Sequence, residues 1–221
     1  MHMFGADQGA LYFPEQAEVP EGKTHLELRT LLYLFLKQAF AGVAQIGSEQ
    51  FVYWDPTDPR ACLAPDAFVR FGAPDERFVS WKVWERGAPH VAVEILSQSD
   101  EHAFEDKLER YRRLGVSELV AFDPDLPETP LRVWDFVGDG LLERRLLEPW
   151  AQSRHLGGFW RAVEVPGVGL TLRLSHDQHG EHLFPTPEEA ETRRAEFEAR
   201  RADLAEQELR ELRAELVRHS T

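Results

Sequence analysis

The sequence predicts an α/β fold in which a mixed β-sheet is flanked by helices, followed by a β-rich extension and a long C-terminal helix. Three patterns carry that expectation. A leucine-rich run over about residues 23–41 reads as a first helix. Short apolar runs near 49–54, 66–71 and 90–97 then read as strands. Between Ala103 and Gly115, stepping about 100° per residue puts Phe104, Leu108, Tyr111 and Leu114 on one stripe, so a second helix follows. Helix, strands, helix is the order of a sheet covered by helices.

Each element has a local reason. Residues 1–22, with several Gly and Pro, form an irregular lead-in. Thr24 followed at the third position by Glu27 reads as a capping box at the start of the first helix. The run Leu131-Arg132-Val133-Trp134-Asp135-Phe136 and the run from Leu141 to Leu146 suit a hairpin joined around Asp139-Gly140, a favoured turn pair. Leu170-Thr171-Leu172-Arg173-Leu174 alternates and closes the β-rich extension. Thr186-Pro187-Glu188-Glu189 then opens a charged helix with a cap and an acidic first turn. Along it Ala195, Ala202, Leu209 and Leu216 repeat every seven residues, with Ala205 and Leu212 between them and Glu198 interrupting the seam. The expected division is residues 1–186 as one domain and 187–221 as a coiled-coil-forming helix that makes a homodimer or a higher homo-oligomer.

Two charges stand where apolar surface is expected. Glu94 lies inside His90-Val91-Ala92-Val93-Glu94-Ile95-Leu96-Ser97, and Lys107 lies inside the apolar stripe of the second helix rather than with Glu105, Glu109, Arg112 and Arg113. Strand alternation puts Glu94 on one face with Ala92 and Leu96, so Glu94 and Lys107 can meet between sheet and helix. Even a neutral polar group costs roughly 2–7 kcal/mol to bury without a partner. A metal site is one reason to bear such a cost; a plain salt bridge, with the lysine stem laid over the core, is the other. Only four of the 25 basic residues are lysines, so one kept in an apolar stripe is informative, ammonium and guanidinium having different chemistry.

Asp66, in Ala64-Pro65-Asp66-Ala67-Phe68-Val69, adds a third group. The order Pro-Asp, strand glutamate, lysine resembles the PD-(D/E)xK nuclease superfamily. With Asp106-Lys107-Leu108-Glu109-Arg110-Tyr111, Leu114-Gly115-Val116 and Phe122-Asp123-Pro124, the chain resembles the Uma-two family of restriction-endonuclease-like proteins, from about His25 to the end. The superfamily lysine usually stands two residues after the glutamate. Here that residue is Leu96, and as in the family it resembles, the lysine comes from the following helix, at Lys107.

The resemblance implies a restriction-endonuclease-like domain that hydrolyses phosphodiester bonds with Mg²⁺ or Mn²⁺. Asp66, Glu94 and the backbone carbonyl near Ile95 would hold the hard cation. Lys107 would orient water or steady the pentacovalent state. Without metal the two carboxylates should repel, and one should hold its proton more tightly. The resemblance also implies a contribution from the first helix, from His25 or Glu27. Residues two apart on a helix face different ways, so at most one of them is central.

Composition bounds these readings. At 221 residues and 43% hydrophobic content the chain suits one domain with an appendage. A single cysteine, Cys62, excludes an internal disulfide framework, and no stretch approaches the roughly 18–20 apolar residues of a membrane helix. A cytoplasmic protein with no membrane partner is expected. The expected partner is nucleic acid, DNA foremost, yet the net charge of −14 opposes it. Arg110, Arg112 and Arg113, with Arg144, Arg145, Arg154 and Arg161 later, are the candidate phosphate contacts. The acidic balance keeps open a rival: a catalytically inactive scaffold or regulatory protein that oligomerises through its tail. His176, His179 and His182 could bind a transition metal or form a polar turn. Trp81 and Trp84 could cover the site or pack as core.

Overall fold

The computed structural model describes residues 12–13, 22–73, 76–96 and 101–219. The chain divides into two compact units, Met1–Phe184 and Pro185–Thr221. The expected lead-in, 1–22, falls almost wholly outside the described residues, as does Ser97 at the end of the expected third strand.

The first unit is built on a six-stranded sheet. Its strands are β1 (Ala44–Gly47), β4 (Ala67–Phe71), β6 (Val91–Ile95), β7 (Glu118–Phe122), β8 (Leu131–Val137) and β9 (Gly140–Glu143), side by side in that order. Within this sheet only β6 and β7 run parallel, with Val91 opposite Glu118 and Ile95 opposite Phe122. The crossover between them is helix α3 (Glu101–Leu114), as a parallel pair requires. A second sheet holds β10 (Trp150–Gln152), β11 (Phe159–Val165) and β12 (Gly169–Ser175), and a third small one holds β3 (Cys62–Leu63), β2 (Val52–Tyr53) and β5 (Trp81–Lys82).

Alternation along the strands sorts the core into two halves. Val91, Val93 and Ile95 point with Val120, Phe122 and Val133 to one face. There Leu28, Leu32, Phe35 and Leu36 of helix α1 (Lys23–Ala39) meet them, together with Trp160, Leu172 and Leu174 of the second sheet. Ala92, Leu96, Leu119 and Ala121 point to the other face, against Phe104, Tyr111 and Leu114 of α3 and Trp81 of the small sheet. Burying a side chain of this size contributes about 1.5–3 kcal/mol each, and together they fix the sheet between its two covers.

Several local expectations change. Helix α1 starts at Lys23 with Gly22 as its cap and no side-chain capping bond, so Thr24 sits inside the first turn and the capping box with Glu27 does not form. Glu27 instead lies 3.6 Å from Lys23, one turn back. The hairpin turn is Gly138-Asp139 rather than Asp139-Gly140. Gly140 already pairs with Val137, and Gly138 supplies the positive φ of 64° at the first central position. Strand β9 stops at Glu143 because Arg144 turns inward to an ion-pair network. Trp81 is fully buried core, and Trp84 stands exposed on the short helix α2 (Val83–Arg86).

The second unit is helix α4 (Pro187–His219), opened by reciprocal bonds: the Thr186 hydroxyl accepts from the Glu189 amide while the Glu189 carboxylate accepts from the Thr186 amide. Leu209, Leu212 and Leu216 of the heptad seam are exposed. So are Phe197 and Leu204, which lie off that seam. Among the described residues no helix is long and apolar enough to cross a membrane.

Candidate active site

The carboxylates of Asp66 and Glu94 converge at the C-terminal end of β6, each delivered by the sheet. Asp66 immediately precedes β4, and β4 pairs antiparallel with β6 so that Ala67 stands opposite Val93. This register carries the Asp66 side chain past the end of the ladder, where its Oδ2 accepts the Ile95 amide at 2.7 Å. Glu94 is 3% exposed and leaves the opposite face, toward α3. Its Oε2 accepts from the Lys107 ammonium at 2.9 Å, and its Oε1 accepts from the Tyr111 hydroxyl. Lys107 and Tyr111 are one helical turn apart, so both reach the same carboxylate.

From the other side α1 contributes His25, whose Nε2 lies 2.7 Å from Asp66 Oδ1. Of the two first-helix candidates, His25 therefore reaches the carboxylates and Glu27 pairs with Lys23. A turn further along α1, Arg29 contacts the Ser48 hydroxyl at 3.2 Å and the Glu49 carboxylate at 3.2 Å. Ser48 in turn donates to the Asp66 carbonyl at 2.8 Å, and the Glu49 amide donates to the Pro65 carbonyl at 2.9 Å. Glu49 takes a left-handed backbone, φ 61°, unusual for a residue with a side chain and concentrated at functional sites. Just before it, Gly47 passes so close to the Phe68 ring that a Cβ there would lie 2.1 Å from it. The segment 47–49 thus braces the Pro65-Asp66 backbone.

Electrostatics set the two carboxylates apart from an ordinary salt bridge. Burial, followed by the negative charge of Asp66, pushes the Glu94 carboxyl up to about 7, against the opposing pull of Lys107 and Tyr111. The lysine does not fully offset the charge concentrated there. Burial and the adjacent Glu94 push the Tyr111 phenol well above its usual range, so it remains a donor. Among the described residues no three His, Cys, Asp or Glu side chains are already drawn together as a metal cage.

Tyr111, Ser48 and Arg29 went unseen at the level of sequence. Tyr111 counted as one of the apolar stripe, and only its position four residues after Lys107 marked it out. The proposed phosphate contacts fare differently. Arg112 and Arg113 pair with Glu109, at 2.6 and 3.0 Å. Arg110 donates to the Cys62 carbonyl. Arg144 is held by Glu118 and Asp135, and Arg154 lies 3.3 Å from Asp135, because these side chains neutralise buried carboxylates. The three histidines form a turn rather than a metal cluster: Asp177 accepts the amides of His179, Gly180 and His182, and His176 stacks on Phe184.

A mixed sheet that carries Pro65-Asp66 and Glu94 to one end of its inner strands, with the lysine delivered by the following helix, defines a restriction-endonuclease-like protein. The chain belongs to the Uma2 family, described as putative restriction endonucleases, whose model matches residues 7–166. The match thus begins before His25 and leaves α4 outside it. The chain is also similar to the crystal structure of a putative nuclease belonging to DUF820 from Anabaena variabilis ATCC 29413, at 17% identity and a TM-score of 0.45, covering 68% of this chain and 75% of that one. No curated protein is significantly similar.

Proposed function

We propose that this chain is a divalent-metal-dependent nuclease that hydrolyses phosphodiester bonds in DNA at Asp66 and Glu94. The observation that carries the reading is the burial of Glu94 beside a second carboxylate, with one ammonium to balance two acids. A buried excess of negative charge is costly unless a cation completes it.

The donor set suits a hard cation. Both groups are oxygen ligands, and each carboxylate oxygen, though already accepting one bond, keeps a further lone pair. In an extended strand the amide and carbonyl of one residue point to the same side, so the Ile95 carbonyl leaves β6 on the side where its amide meets Asp66. Asp66, Glu94 and that carbonyl would hold Mg²⁺ or Mn²⁺. Bound there, the metal supplies Lewis-acid polarisation of a phosphoryl oxygen and a more acidic water.

The chain's own residues do the positioning. His25 and the Ile95 amide fix the two oxygens of Asp66, and Tyr111 fixes one oxygen of Glu94. Lys107, 35% exposed, is more open to solvent than His25, Asp66, Glu94 or Tyr111, and its ammonium can orient an attacking water or offset charge on the pentacovalent phosphorus. Helix α4 would pair with α4 of a second copy through Leu209, Leu212 and Leu216, in support of a homo-oligomer.

One observation favours the non-catalytic rival: the arginines nearest the carboxylates are spent on internal partners. Cleavage of DNA in Mg²⁺ or Mn²⁺ decides between the two. Wild type should cleave and should stop in chelator, and Asp66→Asn and Glu94→Gln should be folded and inactive. Calorimetry showing unchanged Mn²⁺ affinity in both variants would remove the site.

A further inference from the structure

We infer that the cleft between α1, β1 and residues 76–78 is a subsite for one unpaired nucleotide of a nucleic-acid strand lying next to the Asp66–Glu94 centre. This rests on the nuclease reading and names how the strand is held. The cleft measures about 450 Å³ and is lined by Tyr33 and Lys37 of α1, Gln45 of β1, Gln50, Arg77 and Phe78, with Glu76 as the acid among them. Its chemistry has the three parts a nucleotide presents. Lys37 and Arg77 are exposed cations, and no ion pair among the described residues engages either, in contrast to the arginines beside the carboxylates. Lys37 touches the Tyr33 hydroxyl at 3.3 Å, an uncharged partner that leaves its charge available to a phosphate.

Amides form the second part. Gln45 is 4% exposed, an unusual place for an amide on a four-residue edge strand. Its oxygen accepts the Glu76 amide at 2.8 Å, which holds the 76–78 segment over the cleft. Gln50 accepts the Ser48 amide through its oxygen at 2.7 Å. Its own amide nitrogen has no acceptor among the described residues and can donate to a base edge. The third part is aromatic lining: Tyr33, with the Lys37 ammonium over one face of its ring, and Phe78, packed on Phe68 and Trp81, give a base an apolar wall to rest against.

Position ties the cleft to the chemistry. Ser48 bonds at once to the Gln50 side chain and to the Asp66 main-chain carbonyl, so the wall of the cleft and the backbone that carries Asp66 share one residue. Gln50 is two residues from Ser48, at most about 7 Å along an extended chain, so the cleft opens beside the segment that braces Pro65-Asp66.

The test measures binding of a labelled single-stranded oligonucleotide by anisotropy across a salt series, and cleavage of the same strand in Mn²⁺, for wild type and the double variant Lys37→Gln/Arg77→Gln. Both substitutions are on exposed side chains, and an unchanged melting temperature confirms the fold. The double variant should bind about tenfold more weakly and lose about 1.4 from the slope of log affinity against log salt, roughly 0.7 for each phosphate contact. Its kcat should match wild type while KM rises. Equal affinity and equal slope in the two proteins would overturn the subsite even if both cleave. Wild-type binding that the double variant loses, without cleavage by either, would sustain the subsite and end the nuclease reading. Gln50→Leu, which removes the amide donor together with the acceptor of the Ser48 amide, should raise KM without altering the salt slope or the melting temperature; a changed slope would overturn the assignment of Gln50 to the base.

Discussion

Two glutamates are buried in neighbouring parallel strands, at opposite ends of the same ladder, and they are treated in opposite ways. Glu118 opens β7 and is fully buried, yet it accepts from Arg144 at 2.9 Å, from the Ser153 hydroxyl at 2.7 Å, from the Arg154 amide at 2.8 Å and from the Trp160 indole at 3.1 Å. Asp135, opposite it in the register, shares Arg144 through a bond of 2.7 Å. Glu94, at the far end of β6, has Lys107 and Tyr111 and faces another acid. The first site saturates its carboxylate with donors and ties the second sheet to the first. The second gives its carboxylate one ammonium and one phenol and sets another acid beside it. Burial of a charge alone does not mark function; burial with too few donors does.

The largest effect should come from breaking the saturated site. Arg144→Met keeps a long apolar stem but leaves Glu118 without its cation and Asp135 with Arg154 alone, and removing one partner of a buried network costs about 3–5 kcal/mol. Urea unfolding of this variant should show that loss, with metal affinity per folded molecule unchanged. A midpoint equal to wild type would mean Glu118 tolerates an unpaired charge, and the contrast with Glu94 would collapse.

The next effect is pH-dependent. In the metal-free protein the Glu94 carboxyl sits at about 7, against 4.5 in an exposed chain, so the native state holds a proton the unfolded state has released. Between those values stability falls as pH rises, by about 3 kcal/mol at 1.36 kcal/mol per unit. Glu94→Gln cannot lose that proton. The difference in unfolding free energy between Glu94→Gln and wild type should therefore shift in favour of the variant by that amount from pH 4.5 to pH 7 in chelator, and shift less in Mg²⁺. A difference constant across the window would place Glu94 with Glu118 as a structural acid.

How much of this contrast was readable in advance depends on distance along the chain. The 3.6-residue stripe of α3 and the two-residue alternation of β6 were enough to place Glu94 against Lys107, thirteen residues apart. Pro65-Asp66 carried a motif, and His25 and Glu27 were separated once α1 was seen to start at Lys23. Glu118, in contrast, carries no local signal in the sequence, because its donors arrive from 26 to 42 residues downstream on Arg144, Ser153 and Trp160. The strands of two residues, β2, β3 and β5, carry no readable period, and β1 is buried at all four positions and so does not alternate. Strand β11 does alternate in part, with Trp160 inward, but its identity rests on pairing with β12.

Lys107→Met sharpens the comparison from the other side. Where Glu118 would be stranded without Arg144, Glu94 without Lys107 has an escape, since a carboxyl already pushed up to about 7 can take a proton. The cost in chelator should be smaller than for Arg144→Met, about 1–3 kcal/mol, and Mg²⁺ should recover most of it. Turnover should still be lost because the water or phosphate is no longer steadied. A variant that melts as far below wild type as Arg144→Met, with and without Mg²⁺, would show the lysine to be structural. One that cleaves at the wild-type rate would remove it from the catalytic set.

The most local effect is assigned to Tyr111, and it separates positioning from packing. Tyr111→Phe deletes one hydroxyl and leaves the ring, which is fully buried against Phe104 and Leu114 in the same half-core. If the hydroxyl served packing alone, the variant would differ from wild type by a few tenths of a kcal/mol at every pH. But the phenol donates to Glu94 Oε1 and is among the groups holding that carboxyl down. A lost bond to a charged group costs about 1.5–3 kcal/mol when the acceptor is ionised and far less when it is protonated. The destabilisation of Tyr111→Phe in chelator should therefore be small at pH 5, where Glu94 carries its proton, and grow as pH rises past 7. The pH at which Mn²⁺ binding is half-maximal should move upward, because Glu94 gives up its proton later. Melting curves at pH 5 and pH 8 and a Mn²⁺ titration across the same range would read both. A loss identical at the two pH values, with an unmoved metal-binding midpoint, would make Tyr111 a core residue with an incidental hydroxyl, and would leave the tuning of the carboxylate from α3 to Lys107.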